Sequence, residues 1–286
     1  METSGAVILS IVLTLVFSCV IFAVVYFAFL KTECPVCEIV TCDCDSNASE
    51  DQDEKTDEDN VQANKEYNSK YKFANFKNPD LVFNNCVFNF LPNAFKNHEE
   101  IRTATFNNCT LKNSLWGTFD ECTNLKTVIF NNCEFTDMHN IVYTFEDCVN
   151  LEKVEFNNSP VKVEKNKVGY ASLSSIFKGC SSLGEIDLTM FDTSEMNSVG
   201  EIFSGCTNLK KIDLKGWKFN DCGKNDDNGL LFNECYAISE LRIDDDQLDI
   251  HKDGEIEIKL KDDKTLYTGI TKIGDGEDGF MKVEMN

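Results

Sequence analysis

Four cysteines, Cys34, Cys37, Cys42 and Cys44 in "CPVCEIVTCDC", are the residues of this chain best spaced for chemistry. Four thiolates this close suit a tetrahedral zinc site. They equally suit disulfides, within one chain or between two chains held side by side. C-x-x-C also serves redox exchange, but that use needs a helix start in a thioredoxin-like βαβ setting to lower the thiol pKa. No such pattern surrounds these residues, which therefore stand as a candidate disulfide or metal cluster. Elsewhere the chemistry is thin. The histidines are His98, His139 and His251, and there is no H-E-x-x-H, P-loop, G-x-G-x-x-G or G-x-S-x-G. "GDGEDG" at 274–279 lacks the spaced ligands and terminal Glu of an EF-hand and reads as a tight turn. The pattern predicts no enzyme and no cofactor, and no metal outside the cysteine cluster.

What precedes the cluster fixes its setting. Ala6–Leu30 is an uncharged run of 25 residues, about 37 Å long as a helix at ~1.5 Å per residue, enough to cross a hydrocarbon core of ~30 Å. It is too long for a signal peptide, and no Lys or Arg precedes it. The expectation is a single-pass anchor after a short tail at 1–5. Lys31 alone gives a weak pull towards a cytoplasmic C-terminal side. After the cysteines, Asp45–Asn60 carries eight acidic residues and no aromatic. Such a stretch buries no apolar surface and is expected to be a disordered spacer, so 31–71 reads as a juxtamembrane segment and stalk. The whole 286-residue chain carries a formal charge of -22 with two arginines, Arg102 and Arg242, which excludes a nucleic-acid footprint.

Beyond residue 72 one pattern repeats. From Phe95, Phe119, Phe145, Phe177, Phe203 and Phe232, apolar residues or cysteines recur at +3, +6, +9, +11, +14 and +16, with start-to-start gaps of 24, 26, 32, 26 and 29 residues. Leu81, Phe83, Cys86 and Phe88 fit the end of an earlier, truncated unit. From +6 each unit reads L-x-x-L-x-L-x-x-(N/C)-x-L, as in Leu125-x-x-Val128-x-Phe130-x-x-Cys133-x-Phe135. L-x-L is a short strand with alternate residues inward. No unit can bury its own inner face, so units must stack. The predicted fold is an α/β-type solenoid, a leucine-rich repeat of about seven units over 72–248. Its short strands would line the concave side, with short helices or turns opposite. "EIEIKLK", "LYTG" and "FMKVEM" supply a small β cap at 249–286.

The stretch Ile176–Phe219, with its I-F-x-G-C-[ST]-[SN]-L blocks followed by I-D-L and its Asp192-Thr193-Ser194 turn, resembles the BspA-like, mycoplasma-type leucine-rich repeats of surface proteins. The likeness is looser over 95–175 and 220–248, where "NNC" replaces D-T-S. It implies a cell-surface or secreted protein used in adhesion or ligand binding, and names no ligand.

Eight of the nine cysteines after residue 72 fall at +3 or +14, facing inward, and read as buried small hydrophobes. Cys222, in "NDCGKNDDNG", is expected to be exposed. The outward strand positions +8 and +10 form the candidate concave binding face: Thr103, Thr105, Thr127, Ile129, Lys153, Glu155, Glu185, Asp187, Lys211, Asp213 and Arg242. Its first half is neutral and its second charged. Asn-Asn pairs at +12/+13 suit a hydrogen-bonded amide ladder or a sugar-binding row. Three N-glycosylation sequons start at Asn47, Asn108 and Asn157. Ser159–Ser175 and the Cys222 loop are insertions expected to bulge at one edge. The sequence as a whole predicts a single-pass membrane protein, its repeats extracellular, lumenal or virion-exterior, recognising a protein or glycan without catalysis. Two other readings remain: a structural cellular or viral membrane component assembling laterally, as a homodimer through the juxtamembrane cysteines, and a redox or metal factor centred on Cys34–Cys44.

Overall fold

In D-L-V-F-N, T-A-T-F-N, T-V-I-F-N and K-V-E-F-N the second and fourth residues are large or apolar and the flanking ones mostly polar, so each segment can bury one face only. The computed structural model describes residues 61–67, 73, 77–219, 222, 231–250, 256–259 and 265–285, all within the compact unit Thr56–Asn286. The apolar run Ala6–Leu30, the cysteines Cys34, Cys37, Cys42 and Cys44, the acidic stretch and Asn47 lie outside the described residues. Among the described residues no helix is long and apolar enough to cross a membrane.

The chain coils as a parallel β-solenoid. One parallel sheet stacks β1 (Val61–Ala63), β3 (Asp80–Asn84), β5 (Thr103–Asn107), β7 (Thr127–Asn131) and β9 (Lys153–Asn157) in that order. A second stacks β2 (Glu66–Tyr67), β4 (Val87–Phe88), β6 (Thr110–Ser114) and β8 (Glu134–Asn140). The register aligns equivalent repeat positions, for example Ala104 with Val128 and Val128 with Val154. β10 (Val161–Lys162) pairs with β12 (Phe191–Asp192). The first wall resumes as β11 (Glu185–Asp187), β13 (Lys211–Asp213) and β14 (Glu240–Arg242), again parallel. Strand pairing along this wall is interrupted between β9 and β11, where the 32-residue gap falls. The last strand is closed by an antiparallel run: β14 pairs with β18 (Met281–Met285), then β17 (Thr265–Asp275), β16 (Ile256–Lys259) and β15 (Leu248–Ile250).

The F-x-x-C wall corrects one expectation. The described residues hold no α-helix there, and their one helical piece is the short 3-10 turn Asp245–Gln247. The reason lies in where the N–H groups go. Phe95, Phe119, Phe145, Phe177 and Phe203 donate to carbonyls one turn on, at Thr118, Thr144, Ile176, Ile202 and Leu231, over 2.8–3.1 Å. Residues two before and two after each Phe take left-handed φ, as at Tyr143 (58°) and Asp147 (54°). That alternation aims N–H groups sideways at the neighbour instead of back along a helix. Gly179 (φ 74°) is required twice over, because a Cβ there would meet the Asp147 carboxylate above it.

The interior is built as columns. Phe73, Phe95, Phe119, Phe145, Phe177, Phe203 and Phe232 stack near-parallel with centroids 4.4–5.9 Å apart. Phe83, Phe106, Phe130 and Phe156 form a second stack at 4.9–5.1 Å. Phe73 extends the first column one unit earlier than the repeat pattern starts, and Tyr67 stacks on Phe88 at 4.9 Å in a still earlier rung.

The described cysteines are all buried. At +3 each thiol donates to the phenylalanine carbonyl one turn back: Cys122 to Phe95, Cys148 to Phe119, Cys180 to Phe145, Cys206 to Phe177 and Cys235 to Phe203, over 2.8–3.0 Å. Cys109 and Cys133 do the same at +14, where Ser159 later substitutes a hydroxyl. Cys222, expected to be exposed, is instead buried. Its chain turns at Phe219 (Cys222 N–H to Phe219 O, 2.9 Å) and directs Sγ inward towards the Met196 carbonyl. His98 takes the +3 place in the first full unit. It is buried, and its Nε2 has no hydrogen-bond partner.

Two outcomes follow for stability. Phe119→Ala opens a gap inside a continuous stack and is expected to cost about 3–5 kcal/mol, read as a lowered urea midpoint at unchanged slope. Burial pushes the Cys122 thiol up to about 12 and raises Cys148 and Cys180 likewise. An unfolded thiol titrates at about 8.5. The folded state therefore holds these protons longer, and their stabilising contribution is complete below that value and lost as pH rises towards 12. Urea titrations at pH 7.5 and pH 10 should show the loss, and Cys148→Ala should reduce it. Native protein at pH 8 should leave the buried thiols unalkylated by iodoacetamide, and unfolded protein should not.

Candidate functional site

Because side chains alternate across a strand, the first wall presents two outward columns. One runs Asp80, Thr103, Thr127, Lys153, and the other Val82, Thr105, Ile129, Glu155. Adjacent members lie about 4.8 Å apart along the stack. Thr103, Thr105, Thr127 and Ile129 are all partly exposed. Thr103 Oγ1 donates to Asp80 Oδ1 at 2.8 Å. Charge enters with the next rung, where Lys153 and Glu155 pair at 2.7 Å. That lysine bond holds the Glu155 carboxyl below its ordinary value.

The second half of the face is arranged differently from the expected open surface. Asp213 is buried. Arg242 forks onto it, with Nε 2.8 Å from Oδ1 and Nη2 on Oδ2, and also donates to the Asp278 carbonyl. Phe280, at the tip of the β17–β18 hairpin, lies under both Lys211 (4.2 Å to the ring centroid) and Arg242 (4.7 Å). Lys211 also pairs with Glu240, which Lys282 holds at 2.7 Å and keeps below its ordinary carboxyl value. Lys211, Asp213 and Arg242 are thus occupied by the chain's own C-terminal hairpin. Asp187 caps its own turn through Thr189 N–H at 2.9 Å, and Glu185 is exposed. Of the eleven residues expected on one face, Lys153, Glu155, Lys211, Asp213 and Arg242 are bound up in ion pairs, and Thr103, Thr105, Thr127 and Ile129 form a contiguous neutral patch. Phe280 and Lys282 are the participants that sequence reasoning missed. Their strand is visible as alternation in "FMKVEM", but their contact with β13 and β14 is not.

The asparagine pairs divide their work. The first members form an amide ladder: Asn107 Nδ2 donates to Asn84 Oδ1, Asn131 to Asn107 and Asn157 to Asn131, over 2.8–3.0 Å. The second members, Asn85, Asn108, Asn132 and Asn158, turn the corner with φ of 49–54°, a region Asn tolerates better than most residues. Asn124, Asn150 and Asn208 bridge neighbouring turns in the same manner, side chain to carbonyl. Among the described residues no three His, Cys, Asp or Glu side chains converge on a metal-sized site.

Asn131 is the middle of the ladder. Asn131→Ala removes the donor to the Asn107 oxygen and the acceptor of one Asn157 hydrogen together, for an expected loss of about 0.5–1.5 kcal/mol. Asn157→Ala, at the ladder's end, should cost less. Parallel urea melts check the order.

Neither curated proteins nor solved structures gave a match to this chain. A family model did, the BspA type leucine rich repeat region, in six copies over 66–198, 143–253 and 173–275. Together these matches span 66–275, well over half of the 286 residues. The repeat offsets, the stacked rungs and this match agree: the chain belongs to the BspA type leucine-rich repeat family.

Proposed function

We propose that this chain is a membrane-anchored recognition protein without catalytic activity. Its repeats face the exterior, lumenal or virion-exterior side, and a protein or glycan partner lies on the outward columns of β3, β5 and β7. A single contrast carries the reading. The thiols, the groups of the repeat best suited to chemistry, are buried and hydrogen-bonded inward. Thr103, Thr105, Thr127 and Ile129 meanwhile form a regular, uncharged outward array with no ion pair to break. Leucine-rich-repeat solenoids typically serve as binding scaffolds, and the uncharged Ala6–Leu30 run supports anchorage. The last rungs of the face, where Lys211 and Arg242 meet Phe280 of the C-terminal hairpin, serve as a fixed boundary to the contact area.

The test has two arms. Protease protection in intact cells should leave the repeat domain exposed on the side away from the cytoplasm. Cells carrying Thr105→Lys or Ile129→Lys should lose at least tenfold in adhesion relative to wild type while the thermal midpoint stays within a few degrees. Equal adhesion by both variants would remove the neutral patch as the contact.

A further inference from the structure

We propose that Asn108 is the residue of the repeat domain that carries an N-linked glycan in the folded protein, and that Asn157 stays unmodified although its sequon is equally complete. The proposal rests on the exterior placement of the domain argued above. The reaction is transfer from a lipid pyrophosphate-linked oligosaccharide. The side-chain amide nitrogen bonds to the anomeric carbon, the anomeric C–O bond to pyrophosphate breaks, and the amide gives up one proton as the lipid pyrophosphate leaves. The product has one N–H where asparagine had two.

That lost hydrogen distinguishes the two sites. The sequons are Asn108-Cys109-Thr110 and Asn157-Asn158-Ser159, and their asparagines sit one residue apart in the repeat. Asn157 is a +12 residue. Its Nδ2 lies 3.0 Å from Asn131 Oδ1 and 3.2 Å from Glu155 Oε2, so both of its hydrogens are engaged. Its sequon hydroxyl is sealed in the core: Ser159 Oγ accepts the Cys133 N–H at 2.9 Å and lies within hydrogen-bond distance of the Phe130 and Asn157 carbonyls. A sugar on Asn157 removes a hydrogen that the folded corner uses and places its bulk across the end of the ladder.

Asn108 is a +13 residue. Its left-handed φ of 52° turns it out of the ladder, and it is exposed. Asn85 and Asn158 in the same column bond to Asn64 and Asn132 through their side chains, whereas the Asn108 amide makes no side-chain hydrogen bond among the described residues. Its backbone N–H is held by the Asn131 carbonyl at 2.8 Å, so the corner keeps its shape whatever the side chain bears. Thr110, the sequon hydroxyl, is only partly buried.

The experiment uses the full chain with an Asn-Ala-Thr acceptor appended at its C-terminus, expressed in a eukaryotic secretory host. Natively folded protein, selected by resistance to limited proteolysis, is released with peptide N-glycosidase in heavy-oxygen water. Each sequon is then read by mass. Labelled aspartate is expected at Asn108 and at the appended site, and plain asparagine at 157. Asn108→Asp and, separately, Thr110→Val should each remove one glycan-sized mobility step, while Asn157→Asp leaves mobility unchanged. An occupied appended site with a bare Asn108, or a glycan on Asn157 of the folded protein, overturns the inference and leaves the exterior reading standing. A bare appended site overturns both.

Discussion

Every rung of this solenoid depends on its neighbours for hydrogen bonds that it cannot make itself. In an ordinary leucine-rich pattern one expects strands on one wall and self-sufficient helical turns on the other. Here even the F-x-x-C corner sends its N–H groups to the next turn, because left-handed residues two before and two after each phenylalanine point them there. Thiols at +3 and amides at +5 and +12 add bonds across the same gap. A buried backbone group without a partner is costly, so a rung lifted from the stack loses backbone pairing and apolar burial together. The result is a chain whose stability is a nearest-neighbour sum along one axis.

The same constraint explains the choice of side chains. Flat rings suit a repeat distance of about 5 Å, and the phenyl columns occupy it with centroids 4.4–5.9 Å apart. Cysteine is small enough to fit beside such a column and still offers a donor for the carbonyl behind it. Burial raises the Cys122, Cys148 and Cys180 thiols, so that part of the interior is chemically quiet. Variation is left to the outward positions, where the first rungs are neutral and the last are tied to Phe280 by Lys211 and Arg242.

Much of this was legible before any coordinates. The offsets from Phe119 mark the inward residues correctly at +0, +3, +6, +9 and +11, because translation along a stack forces equivalent residues into equivalent places. What the sequence hid has physical reasons. Phe73 begins no readable unit, since Pro79 takes the +6 place and Leu81 and Phe83 follow one residue too early for +9 and +11. Left-handed corners at Glu121, Tyr143 and Glu201 are not spelled with Gly or Asn, so a helical turn looked equally natural. Cys222 sits among polar residues whose composition suggests exposure, and only the path of the chain turns it inward. Alternation along the strands marks the outward positions, but the burial of Asp213 and the engagement of Lys211 and Arg242 depend on a hairpin distant in sequence.

The corner wall has a direction. At the phenylalanines from Phe73 to Phe203, and at left-handed positions from Asn93 to Gly205 such as Glu121 and Asp147, the N–H vector points towards the later rung, so the peptide dipoles of successive turns align head to tail. In an α-helix the N–H groups point towards the start of the chain, and its first turn is the electropositive end. The sense here is reversed: partial positive charge accumulates at the Phe232 end and partial negative charge at the Phe73 end. An anionic group is therefore better accommodated beside the last corner than the first, in a molecule whose overall charge would suggest no preference at all.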